Sequence, residues 1–168
     1  MRSKLGVSVA LAAAGLLALG APLAAADGKG KRTLRLVAVE NQSEFLDLGA
    51  PGPSLGDQLV FSEILRQRGR EVGDSGVTCT VTEAVPPYDV LVFHCVGTLS
   101  LRGHGQITLQ GLIEVQGEDD PGPFKVAITG GTGDFVGAAG EAIVRDITPE
   151  RTVYKLRFEG KKKHRGRH

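Results

Sequence analysis

The chain has 168 residues, 24 of them glycine, no tryptophan, and 20 basic against 19 acidic side chains. Long helical polar–apolar repeats are missing, while many short apolar runs are cut by Gly, Pro and Asp, which argues for an all-β domain. The near-neutral total hides an acidic body, residues 27–160, with 13 basic and 19 acidic groups, which disfavours nucleic acid as a partner.

Residues 1–26 read as a secretory leader. Arg2 and Lys4 open it, Leu5 to Leu19 form the apolar stretch, and Ala24-Ala25-Ala26 supplies small residues at the cut. That stretch is shorter than the roughly 20 apolar residues of a membrane-spanning helix. The expected mature protein starts at Asp27 and is secreted (periplasmic in a Gram-negative cell), with no stable membrane insertion.

Eight strands are predicted in chain order. Residues 33–40 and 57–65 flank the loop Ala50-Pro51-Gly52-Pro53-Ser54, and a hairpin of 76–84 and 89–98 follows. Residues 105–116 alternate cleanly, with Ile107, Leu109, Ile113 and Val115 on one face. The turn 117–123 leads into 124–129, a glycine loop into 138–147, and 152–159 closes the set with Tyr154, Leu156 and Phe158 on one face. Eight sequential strands with short connections predict a single antiparallel sheet that can close into a calycin-like barrel with room for one small ligand. Residues 161–168 form a basic tail that either is solvated or touches an anionic envelope surface.

The hairpin is centred on residue 87, which sets Cys79 opposite Cys95 and Val81 opposite Phe93. Directly opposed Cβ atoms lie about 4.5–5.5 Å apart, so a structural Cys79–Cys95 disulfide is predicted, in keeping with an oxidising compartment.

The glycine loop Gly130-Gly131-Thr132-Gly133-Asp134-Phe135-Val136-Gly137 resembles a phosphate cradle only at first sight. A dinucleotide fingerprint opens a helix. Here Gly137 falls one position too late, and Glu141 to Ile147 alternate like a strand. The loop is expected to be a tight strand connection.

Together with Ser54-Leu55-Gly56-Asp57-Gln58-Leu59-Val60-Phe61 and Gly105-Gln106-Ile107-Thr108-Leu109-Gln110-Gly111, this loop resembles the signature of allene oxide cyclases and dirigent proteins, in the style of a bacterial member. The resemblance spans about 33–160. It implies an eight-stranded antiparallel β-barrel with an apolar lumen, no metal and no organic cofactor, and a homotrimer as in plant relatives. It also implies an isomerase-type activity, directed cyclisation or stereoselective coupling, by holding a small apolar molecule in one conformation.

By the same resemblance Glu40 ends the first strand where an acidic residue faces the lumen, and it is the candidate catalytic group; the bland alternative is an exposed strand end. Phe61, Tyr154 and Phe158 are the candidate ligand contacts. Ala139 stands where dirigent proteins carry an arginine, the first connection is shorter than in the cyclases, and a cyclase tyrosine is replaced near Gly97. These departures keep open a second reading, a non-catalytic lipocalin-like extracellular carrier of a hydrophobic ligand. Among the histidines, His94 is expected outside the barrel and His104 at a rim turn, while His164 and His168 lack metal-ligand spacing.

Overall fold

The computed structural model describes residues 32–85, 90–116 and 122–160. The expected leader, the tail and the tips of two predicted turns (86–89 and 117–121) lie outside the described residues.

Eight strands follow one another: β1 Thr33–Leu46, β2 Gln58–Gln67, β3 Arg70–Val85, β4 Val90–Leu101, β5 Gly105–Gln116, β6 Phe124–Gly131, β7 Gly140–Thr148 and β8 Arg151–Phe158. Each pairs antiparallel with the next, and β8 pairs with β1, so the sheet closes into a barrel. Every strand is therefore paired on both sides along part of its length, and among the described residues no strand is an edge strand. Among the described residues no helix is long and apolar enough to cross a membrane.

Alternation decides which side chains enter the lumen. Leu34, Leu36 and Ala38 of β1 lie opposite Leu156, Tyr154 and Thr152 of β8, and with Leu65, Leu99 and Ile107 they build a core sealed from solvent. Cys79 lies opposite Cys95 and Val81 opposite Phe93. The two cysteines are joined by a disulfide.

Two strands run longer than their sequence signal. Strand β1 continues to Leu46 through a register shift between Glu40 and Gln42, and β3 begins at Arg70 and not near residue 76. The early half of β3 reads as a loop because it contains Gly73. A Cβ there would approach the Ser100 carbonyl oxygen to 1.9 Å, so the glycine permits two backbones to meet inside a regular ladder.

The glycine loop stoppers one end. After β6 a single 3-10 turn, Gly133–Phe135, folds inward and buries the Phe135 ring against Phe158, with centroids 6.0 Å apart. The Arg32 guanidinium lies over both rings. The loop backbone docks on the β4–β5 turn, where Asp134 N–H donates to the His104 carbonyl at 2.8 Å. Gly133 has φ +59°, and a Cβ on it would sit 2.4 Å from that same oxygen. Only glycine satisfies both demands. The turn is tied further by His104 Nδ1 and Asp134 Oδ2, 2.8 Å apart.

Candidate functional site

The open half of the lumen is built from the other ends of the strands. It holds an apolar cavity of about 60 Å³ whose wall includes Phe61, Val77, Leu109, Phe124, Val144 and Tyr154. Gly97 and both half-cystines also line it. At Gly97 the Val77 side chain packs against the bare backbone: a Cβ there would stand 3.2 Å from Val77 Cγ2, a crowded contact. The disulfide fixes β3 to β4 at this level, so the cavity wall and the covalent link are one structure.

Behind that wall lies a polar cluster in an otherwise apolar interior. Glu63 follows the inward parity of β2, between Phe61 and Leu65, and exposes only 4% of its surface. Its ladder partner on β3 is Ser75, whose hydroxyl donates to Glu63 Oε2 at 2.6 Å. The phenol of Tyr154, reaching from β8, donates to the same oxygen at 2.9 Å. Oε1 receives no hydrogen bond from the described residues. It is not sealed either, since no buried side-chain nitrogen or oxygen among the described residues lacks a partner.

Burial pushes the Glu63 carboxyl above the usual carboxylate range, against the two donated hydrogen bonds, and the nearby charges of Asp146 and Glu40 add to the rise. Burial first, and then the Glu63 charge, push the Tyr154 phenol well above its ordinary value. Tyr154 therefore stays a proton donor across the neutral range, while Glu63 keeps its proton to a higher pH than an ordinary carboxyl.

Glu40 lies opposite Glu63 in the β1–β2 ladder, yet it is exposed at the mouth, where Ser43 Oγ donates to its Oε1 at 2.8 Å. The buried carboxylate of the lumen is Glu63. Asp146 and Thr152 form a second pair at the same end, with Thr152 Oγ1 donating to Asp146 Oδ1 at 2.5 Å. Phe61 and Tyr154 are on the cavity wall; Phe158 belongs to the stopper at the opposite end. His94 faces outward opposite Thr80 and contacts the Gln110 side chain.

Sequence reasoning missed Glu63 and Ser75. The signal was present: within Phe61-Ser62-Glu63-Ile64-Leu65 the acid occupies the same alternate face as Phe61 and Leu65. An acid on the inward parity of a strand is either partnered or functional.

A second carboxylate organises the mouth. Asp57, fully buried, accepts Leu48 N–H and Gly49 N–H on Oδ1 and the Ser54 N–H and hydroxyl on Oδ2. These bonds, led by that from Leu48, hold its carboxyl below the ordinary value. Its carbonyl also accepts Val81 N–H, which fastens the β1–β2 connection to β3. Among the described residues no group of three or more His, Cys, Asp or Glu side chains is placed to hold a metal ion.

The chain matches the allene oxide cyclase barrel like domain over residues 36–157. Among solved structures, a pyocyanin demethylase is 33% identical, with a TM-score of 0.64 over 76% of this chain and 99% of that one. A Diels-Alderase from Streptomyces koyangensis shares 16% identity at a TM-score of 0.55, over 76% of this chain and 69% of its own. A pterocarpan synthase dirigent protein shares 14% at 0.55, over 77% and 83%. The last two are alike in fold. No curated protein matches the chain.

Proposed function

This chain belongs to the allene oxide cyclase barrel-like family, and on that premise we propose that it admits a small, conjugated, largely apolar molecule into the open half of its lumen and moves a proton on it with Glu63. The observation that carries the reading is the Glu63–Ser75–Tyr154 cluster beside an apolar cavity. Ser75 and Tyr154 hold one carboxyl oxygen and leave Oε1 as the atom that gives or takes the proton. The apolar wall fixes the ligand's orientation, so the reaction is an isomerase-type rearrangement or cyclisation that needs no group beyond this chain. Glu40 at the mouth serves as a second acid, whose charge favours retention of the proton on Glu63. The leader-like 1–26 segment and the disulfide support an extracellular setting.

A cavity of about 60 Å³ has room for only a few waters. A flat ring system therefore enters by displacing the half-buried rings of Phe61 and Phe124. The kinship at one-third identity makes pyocyanin the first molecule to try.

The test is incubation of the full chain with pyocyanin and a panel of conjugated apolar compounds, followed by absorbance and chromatographic separation, with the mass of any product expected to equal that of its precursor. Isomerisation of at least one compound of the panel is expected, with pyocyanin serving as a binding probe, and Glu63→Gln should retain binding while losing about 100-fold or more in rate. Failure of every compound to bind sinks the lumen reading. Binding without turnover in the wild type favours the carrier, the second reading, which the apolar side chains of the wall support.

A further inference from the structure

The outer surface of the barrel is unevenly charged. Four adjacent strands, β7, β8, β1 and β2, carry outward rows fixed by the ladder registers. One row runs Arg145, Val153, Val37, Arg66, each opposite the next. The neighbouring row runs Ile143, Lys155, Arg35, and the row on the other side places Arg151 opposite Val39 and Val39 opposite Ile64.

Arg35, Arg66, Arg145, Arg151 and Lys155 have no ion-pair partner among the described residues. Arg35 and Lys155 stand directly opposite each other, an arrangement that costs stability when no acid intervenes. The acids nearest this face are otherwise placed: Glu71, opposite Arg66 in the ladder, is taken by Arg102, Glu141 is taken by Arg157 and Lys125, Glu150 accepts from Thr148, and Asp74 sits at the edge, opposite Ile64. By contrast the outward positions of β3, β4 and β5 carry no basic run: Thr78, Thr80, His94, Thr98 and Gln106 stand there with the exposed Val96 and Leu112 and the acid Glu114.

The cations alternate with β-branched apolar residues. Val153 points away from the lumen cluster yet exposes only 8%, as expected where long cationic stems lie over an apolar residue and lift their charges outward. Ile147, at the end of the same face, is exposed. Strand β8 then leads through Gly160 into Lys161-Lys162-Lys163-His164-Arg165, so further positive charge follows the strand at the centre of the face.

We infer that the β7–β8–β1–β2 face is a docking surface for an anionic phospholipid bilayer. Unpaired cations supply attraction to the headgroups, and the partly exposed Val37, Val39, Ile64 and Ile143 with the exposed Ile147 suit the apolar boundary beneath them better than a nucleic-acid backbone, which offers only phosphate and sugar to such a face.

Flotation of the full chain with vesicles of phosphatidylglycerol and phosphatidylcholine in equal parts tests this, with phosphatidylcholine alone as reference. Binding is expected to the anionic vesicles only and to fall as salt rises. The double variant Arg35→Gln, Lys155→Gln should partition about thirty-fold more weakly, while melting no lower than wild type because opposed like charges are removed. A variant with the same charge change on the β3–β4–β5 face, Thr78→Glu with Gln106→Glu, should partition far more strongly than that double variant. The inference is overturned if the Arg35/Lys155 variant binds like wild type, or if the two variants weaken binding equally. It is also overturned if a chain ending at Gly160 loses all binding, which would assign the effect to the tail, or if duplex DNA is bound more tightly than vesicles at the same salt.

Discussion

At one end of the barrel the glycine loop, the β4–β5 turn and the start of β1 press backbone on backbone, whereas at the other the strands diverge around a cavity and polar side chains. The closed end is specified by what is missing, the side chains of Gly131, Gly133 and Gly105, each of which would drive a Cβ to 2.5 Å or less from a backbone oxygen. The other half is specified by what is added: Tyr154 lines the cavity and joins it to the buried Glu63 and Ser75 behind the wall, with Glu40 and Asp146 near enough for their charges to act on Glu63. On the function proposed above, the chemistry lies in the open half, which also carries the disulfide and the buried Asp57. A perturbation of the stopper should lower stability alone, and a perturbation of the open half should change what the protein binds as well.

The largest stability effect is expected at the stopper. Phe135→Ala removes a buried ring that packs on Phe158 beneath Arg32 and should cost about 3–5 kcal/mol by denaturant unfolding. Reduction of the Cys79–Cys95 disulfide, which closes a loop of sequence separation 16, should cost about 3 kcal/mol. Because both sulfurs line the cavity, reduction should also weaken ligand binding, a coupling that no change at the stopper would give without unfolding. At the mouth, Phe61→Ala trims a half-buried ring and should cost only about 1 kcal/mol, less than for a sealed phenylalanine. Its main readout is ligand uptake, which should accelerate. Equal costs for Phe135→Ala and Phe61→Ala would dissolve the distinction between the two ends.

The same distinction explains what could be read from the chain. The strand connection at the glycine run and the disulfide are legible because their signals are local: a glycine run before an alternating strand, and two cysteines symmetric about one turn; that the loop closes the barrel by packing Phe135 on Phe158 is not, which is why Phe158 reads from sequence as a ligand contact. The cluster at the open end is not legible either, because Glu63, Ser75 and Tyr154 lie on three strands, and their meeting depends on the closing of the barrel. Glu40 drew attention as the acid ending the first strand signal. Strand β1 in fact runs on to Leu46, with Asn41 to Glu44 polar on both faces because they stand at the mouth, and Glu40, just before the register shift, is exposed there. Parity along β2 held the better signal, an acid between two inward apolar residues.

The smallest and most discriminating effect concerns the pH dependence of stability, where the two structural carboxylates of the open half pull in opposite directions. Burial raises the folded-state pKa of Glu63 above its ordinary 4.5. Its favourable share of stability is therefore complete below 4.5 and is lost as pH rises through the folded value, since the folded protein then holds a proton that the unfolded chain has released. Asp57 behaves in reverse. Its hydrogen bonds lower the folded pKa below 3.8, so its contribution is present above 3.8 and disappears as pH falls through the folded value. Melting of Glu63→Gln across pH should lack the loss above 4.5 while keeping the acid-side fall that belongs to Asp57, and Asp57→Asn should do the opposite. A Glu63→Gln curve parallel to wild type would mean that Glu63 titrates as an ordinary surface acid. In that case Ser75 and Tyr154 would merely fill hydrogen bonds, and the open end would lose its claim to be the chemical one.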